Sequence, residues 1–89
     1  LDVSAIITVI SESSEHYKEV IQAARNTPEV VQCYSTTGKG SHTLIIVAKN
    51  SQALEELLRK IQSWPGVSRT ETQVILSSYA ISHNTYAIS

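Results

Sequence analysis

A single α+β domain, with a four-stranded antiparallel sheet and two helices on one face, is predicted by three features of this 89-residue sequence. Tyr17, Val20, Ile21 and Ala24 fall at the i, i+3, i+4, i+7 spacing that places them on one face of a helix, and Leu54, Leu57, Leu58 and Ile61 repeat that stripe. Runs of strand length, rich in Val, Ile and Thr, flank both stripes. The halves also echo each other, because Pro28-Glu29-Val30 follows the first stripe as Pro65-Gly66-Val67 follows the second. A βαβ-βαβ duplication with right-handed crossovers closes into the ferredoxin-like βαββαβ arrangement.

Taken in order, Val3 to Ile10 is a β-branched run that stops at Ser11-Glu12-Ser13-Ser14, where several side chains can cap a helix. The first helix is expected over Ser14 to Asn26, with Pro28 ending it and Val30 to Thr37 as the second strand. Gly38-Lys39-Gly40-Ser41 is a tight connection whose glycines can take positive φ, and it makes a hairpin with a third strand from His42 to Ala48. Asn50 and Ser51 are good caps for the second helix. Pro65-Gly66 stops that helix, and Val67 to Ser78 is the expected fourth strand. In the remainder, Tyr79 to Ser89, the residues Ala80, Tyr86 and Ile88 are candidates for a final edge strand or for pairing with a neighbour.

Composition narrows the function classes. Seven Lys and Arg stand against eight Asp and Glu, with no like-charge run longer than Glu55-Glu56. That balance argues against a nucleic-acid surface on this chain, because phosphate binding needs clustered cations. A single cysteine, Cys33, cannot staple the fold, which points to a reducing compartment. No apolar stretch approaches the roughly 18 residues of a membrane span, so the cytoplasm is the expected location and no membrane partner is implied. The chain starts at Leu1 and contains no methionine, and it reads as a candidate fragment. At this size any core is thin.

Two strands carry a further signal. In Ala5-Ile6-Ile7-Thr8-Val9-Ile10 and Leu44-Ile45-Ile46-Val47-Ala48 the apolar residues do not alternate with polar ones, so both faces read as buried. Two helices cover only one face. The uncovered face, assigned alternate residues such as Ile6 and Ile10 or Leu44 and Ile46, then needs a partner, the simplest being a second copy across a two-fold axis. Plain β-propensity is the alternative source of such runs.

The search for chemistry is mostly negative. His16, His42 and His83 share no metal-ligand spacing with each other or with Cys33, and no metal, cofactor or catalytic residue is expected. Mid-strand Cys33 reads as a small hydrophobe, with no cationic cluster to lower its pKa. Trp64 reads as a helix-end anchor on the core. Gly38-Lys39-Gly40-Ser41 lacks the length and following helix of a P-loop. Lys39, Ser41 and His42 around two glycines nonetheless leave backbone N–H groups able to hold a carboxylate, so a plain turn and a ligand site both stand. Ser68, Thr70 and Thr72 alternate along the fourth strand and share one face, as ordinary strand residues or as part of a site.

The order and spacing of Thr27-Pro28-Glu29-Val30-Val31-Gln32-Cys33-Tyr34, Thr37-Gly38, the Leu54-Leu57-Leu58 helix, Pro65-Gly66-Val67 and Thr70-Glu71-Thr72 resemble a known domain. It is the C-terminal effector-binding and oligomerisation (RAM) domain of the Lrp/AsnC family of transcriptional regulators, and the likeness runs from about Val3 to Ile88. The resemblance implies that residues 1–89 sense an amino acid or related small molecule and form dimers, assembling further into tetramers or octameric rings. It also implies that DNA is read by an N-terminal helix-turn-helix domain absent from this chain. Stand-alone members without that domain are the other option.

By the same resemblance the effector lies in a cleft between dimers, lined by Gly38, Lys39, Gly40, Ser41 and His42 and by Ser68, Thr70 and Thr72. The family pattern at this loop is glycine, any residue, an aromatic and aspartate, whereas this chain has Gly38, Lys39, Gly40 and Ser41. Ser41 thus stands where an aspartate would meet an amino group, and Gly40 where the aromatic wall would be. Lys39 remains able to pair with a carboxylate. Two other classes are a ligand-free assembly module and a cofactor-free dimeric barrel enzyme with His42 or His83 as base.

Overall fold

The computed structural model describes residues 2–38 and 40–82. The chain runs through β1 (Val3–Ser11), a 3-10 turn (Ser14–His16), α1 (Tyr17–Arg25), β2 (Val30–Ser35), β3 (His42–Ala48), α2 (Ser51–Gln62) and β4 (Val67–Val74). The strands form one antiparallel sheet in the order β2-β3-β1-β4, and both helices cover the same face, as expected for the ferredoxin-like fold. Lys39, His83, Tyr86 and Ile88 lie outside the described residues. Among the described residues no helix is long and apolar enough to cross a membrane.

Local chemistry sets the element ends. The Ser13 hydroxyl accepts from the Glu15 N–H at 3.3 Å and opens a 3-10 turn, so the α-helix proper begins only at Tyr17, later than the expected Ser14. Asn50 caps α2 through a 2.7 Å bond from the Ala53 N–H, and Arg59 and Lys60 occupy the last turn, where cations suit the helix dipole. β4 stops at Val74 rather than Ser78 because its partner β1 runs out: Ala5 pairs with Val74, and the Ile75 N–H to the Ser4 carbonyl at 2.9 Å is the next bond of the ladder. Beyond it Leu76 is 92% exposed, with Tyr79 and Ile81 also exposed, and Tyr79 to Ser82 form no strand.

The two helix exits use different turn chemistry. At Thr27-Pro28-Glu29-Val30 the Val30 N–H returns to the Thr27 carbonyl at 3.0 Å with no positive φ. At Trp64-Pro65-Gly66-Val67 the Val67 N–H returns to the Trp64 carbonyl at 3.2 Å, and Gly66 takes φ 75°, the type II geometry. A Cβ at Gly66 would also lie 2.9 Å from the Cβ of His16. Gly66→Ala is therefore expected to destabilise the domain by about 1–2 kcal/mol from the left-handed backbone alone, read as a lower urea midpoint.

β3 is buried at every second residue, which decides the faces. His42, Leu44, Ile46 and Ala48 point toward the helices, opposite Val9, Ile7, Ala5 and Val3 of β1. Val20 and Ala24 of α1 and Leu54, Leu57 and Ile61 of α2 close this core, with Trp64 anchoring the end of α2. The expectation that Leu44 and Ile46 lie on the uncovered face is overturned, since both are 0% exposed beneath the helices. A strand's side-chain period is two, and an unbroken apolar run leaves the choice of face open by one residue. Ile6 and Ile10 alternate with the core residues of β1 and do lie on the open face. Ile45 and Val47 join them there, and the rows across it read Gln32, Ile45, Ile6, Gln73 and Tyr34, Thr43, Thr8, Glu71.

Candidate functional site

The loop from Thr36 to Ser41 and the start of β4 meet at one end of the sheet, with the end of β1 between them. Ser11 pairs with Val67 of β4 across a bulge, and its hydroxyl lies 3.0 Å from the Ser41 hydroxyl. The Glu12 N–H reaches the Gly66 carbonyl at 3.1 Å, tying the same corner to the type II turn. Of the expected site residues, Gly38, Gly40, Ser41, His42 and Ser68 gather here. Thr70 sits in the row Ser35, His42, Val9, Thr70 on the helix face, where its hydroxyl accepts from Gln62 Nε2 at 3.1 Å. Thr72 lies one row further along and is exposed.

Ser41 is held by contacts within the domain. It is 8% exposed, and its hydroxyl donates to the Val9 carbonyl at 3.2 Å while lying 3.0 Å from both Ser11 Oγ and His42 Nδ1. A serine hydroxyl has one proton and two lone pairs. With the proton given to Val9, both remaining contacts must donate to Ser41, which fills the oxygen's capacity. Its hydroxyl is thus engaged within the domain, at the position where the resemblance puts an aspartate. Gly40 leaves no room for an aromatic wall, since a Cβ there would collide with Cγ2 of Thr8.

His42 is the most enclosed polar residue of this corner. The residue is 1% exposed, and its ring packs edge-on against Tyr17 with centroids 5.0 Å apart and planes at 83°, with no hydrogen-bond partner for Nε2 among the described residues. Burial holds its pKa below the ordinary histidine value. Nδ1 meets only a saturated hydroxyl, so His42 is not paired as a catalytic base would be. His16 behaves oppositely: a 2.8 Å hydrogen bond to Glu19 Oε1 holds its pKa up in a half-exposed setting. Ser11 and Tyr17 complete the His42 cluster, although the sequence marks Ser11 only as a helix-cap candidate and Tyr17 only as part of the first apolar stripe.

An open groove of about 310 Å³ lies elsewhere, between α1 and the outer strand β2, lined by Ile21, Ala24, Arg25, Val31, Cys33 and Ser35. Partial burial pushes the Cys33 thiol up in pKa, as suits a small hydrophobe.

Comparison with known proteins places this geometry. The family model of the Lrp/AsnC ligand binding domain matches residues 3–85. The HTH-type transcriptional regulator FL11 of Pyrococcus horikoshii is 38% identical over 63 residues, covering 71% of this chain and 42% of that protein. Regulatory protein AsnC of Escherichia coli K12 is 30% identical over 78 residues, covering 86% of this chain and 51% of that protein. The chain thus spans about half the length of the curated relatives it matches. The structure of E. coli AsnC superposes with a TM-score of 0.83 at 27% identity, covering 91% of this chain and 55% of that one. A feast or famine regulatory protein from M. tuberculosis, solved in complex with L-methionine, superposes with a TM-score of 0.76 at 26% identity, covering 94% and 56% respectively. With nearly its whole described fold accounted for in this way, the chain belongs to the Lrp/AsnC ligand binding domain family.

Proposed function

We propose that this chain is the effector-sensing and assembly part of an Lrp/AsnC-type transcriptional regulator working in the cytoplasm. It takes an amino acid or related small molecule, and it performs no catalysis. The observation that carries this reading is the convergence of the Gly38–His42 loop with the start of β4 at one end of the sheet, bridged by Ser11. The relative solved with L-methionine supports the ligand class. A dimer forms through the open sheet face, using Ile6, Ile10 and Ile45, and dimers join into rings with the effector in the cleft between them. An effector that contacts more than one subunit binds the assembly states unequally and shifts their populations. DNA is read by a helix-turn-helix domain outside this chain, which feels the change as altered spacing.

Ser41 and Gly40 leave the ligand contacts to backbone N–H groups of the loop and to Lys39, whose ammonium pairs with a carboxylate. Calorimetry and light scattering with a panel of amino acids test this. One compound is expected to bind and to shift the solution mass, and Lys39→Ala is expected to weaken it by on the order of tenfold, the loss of one charge-assisted hydrogen bond. Unchanged affinity in Lys39→Ala removes the ammonium from the site. A fixed mass with no binding favours the ligand-free assembly module, a reading supported by the internally saturated Ser41 hydroxyl.

A further inference from the structure

We propose that His42 is a proton-operated latch on the loop between β2 and β3, so that protonation at Nε2 releases this end of the sheet in mild acid.

The tautomer follows from the hydrogen-bond count. Ser41 gives its one proton to the Val9 carbonyl, so His42 must carry its own proton on Nδ1 and donate it to Ser41 Oγ. Nε2 is then a bare lone pair in an enclosed site, without a partner among the described residues. Adding a proton there creates a charged donor with no acceptor, which a buried site tolerates poorly. Among the described residues nothing around it offsets the charge. Tyr17 faces the ring from α1, Val9 and Ser11 line it from β1 directly and through Ser41, and Ser35 lies opposite it on β2, with Cys33 two positions further. Burial pushes the Cys33 thiol up in pKa, and the carboxylates of this end, Glu12, Glu15 and Glu19, act on His16 instead.

The imidazolium therefore finds its hydrogen bond by reaching water, and the chain around it can give way. His42 is the first residue of β3, and Tyr17 is the first residue of α1, entered through a 3-10 turn. Moving the ring out draws Ser41 with it and breaks the Ser41 N–H to Val9 carbonyl bond of 3.0 Å at the base of the loop. The sign agrees with the buried histidine's lowered pKa. The open state binds the proton more tightly, so closure is fully favoured above the ordinary value of 6.5 and weakens as pH falls from there through the lowered value.

Imidazole NMR and amide exchange on the intact chain test the latch. His42 is expected as the Nδ1–H tautomer at neutral pH, titrating below 6.5. The Ser41 N–H is expected to lose protection across the same range, about tenfold for each unit by which the closed-state pKa lies below that of the open state. His42→Phe keeps an aromatic ring and removes the proton site, and its Ser41 protection is expected to be flat between about pH 7.5 and about pH 5. An Nε2–H tautomer, a His42 midpoint at or above 6.5, or acid loosening that persists in His42→Phe overturns the proposal. The wild-type titration decides alone if the variant does not fold. The consequence for sensing rests on the proposed ligand role of the loop and is read separately. An amino acid whose affinity falls in acid for the wild type but not for His42→Phe supports regulation by the latch, and equal loss in both overturns it. If no amino acid binds, the ligand role fails while the titration still decides the latch.

Discussion

Leu44→Ala is expected to lower stability by about 2–5 kcal/mol, the range for deleting a buried leucine whose surroundings cannot fully collapse. Leu44 sits at the centre of the covered face, opposite Ile7 on one side and Cys33 on the other, with no exposed surface. A domain of this size has a total stability of the order of 5–15 kcal/mol, so the loss is a large share of it. Urea denaturation reads it as a lower midpoint with an unchanged slope. The loss should be the same whether or not the chain associates. A change below about 1 kcal/mol accompanied by dissociation would instead put the side chain in an interface, as a reading of the sequence alone suggests.

Ile45→Lys, one residue along, is expected to act in the opposite way, leaving the fold intact and dispersing the assembly. Ile45 lies on the open face in the row Gln32, Ile45, Ile6, Gln73, where an ammonium has polar neighbours and water in the isolated chain. Across a two-fold axis the side chain occurs twice, so the lost burial of about 1.5–3 kcal/mol per isoleucine counts double. The dimer dissociation constant should rise by on the order of 10²–10⁴-fold. Light scattering over a dilution series, with circular dichroism to confirm the fold, measures both parts. A well-folded Ile45→Lys protein that keeps its mass would move the association surface elsewhere, the exposed Leu76, Tyr79 and Ile81 being the next apolar candidates.

The contrast between these neighbouring positions shows what the residues alone disclose. The helical stripes name most of their own buried faces, because a 3.6-residue period leaves one face apolar: Val20, Ala24, Leu54, Leu57 and Ile61 are buried, Ile21 and Leu58 partly so, and Tyr17 in the first turn is the more exposed member. Leu44-Ile45-Ile46-Val47 carries no such mark, since parity along a strand is invisible when every residue is apolar. His42 supplies the missing parity only once its burial is known. The end of β4 was equally hidden, because a strand stops where its neighbour stops, a property of β1 rather than of Val74 to Ser78. At the site, the glycine-rich loop and the hydroxyls of β4 were legible as a group. The saturation of Ser41 was not, because it depends on Ser11 and the Val9 carbonyl, which are some thirty residues away in the chain.

The strand order carries a last implication, for the way the chain is made. Although the sequence repeats as two βαβ halves, β1 and β2 of the first half are not neighbours in the sheet; β3, from the second half, lies between them, and among the described residues β1 pairs with β3 and β4. When residues 1–40 have left the ribosome and the rest of the domain has not, a strand, a helix and another strand are present with no ladder to join them. Such a piece holds β-branched strands with unpaired edges, the kind of surface that seeks other chains. Closure of the core waits for His42 to Ala48 to slot into the gap, and the sheet is finished only when Val67 to Val74 emerges. The duplication is thus a repeat in writing but not in assembly: neither half holds a strand ladder of its own, and each needs the other's strands to form a sheet.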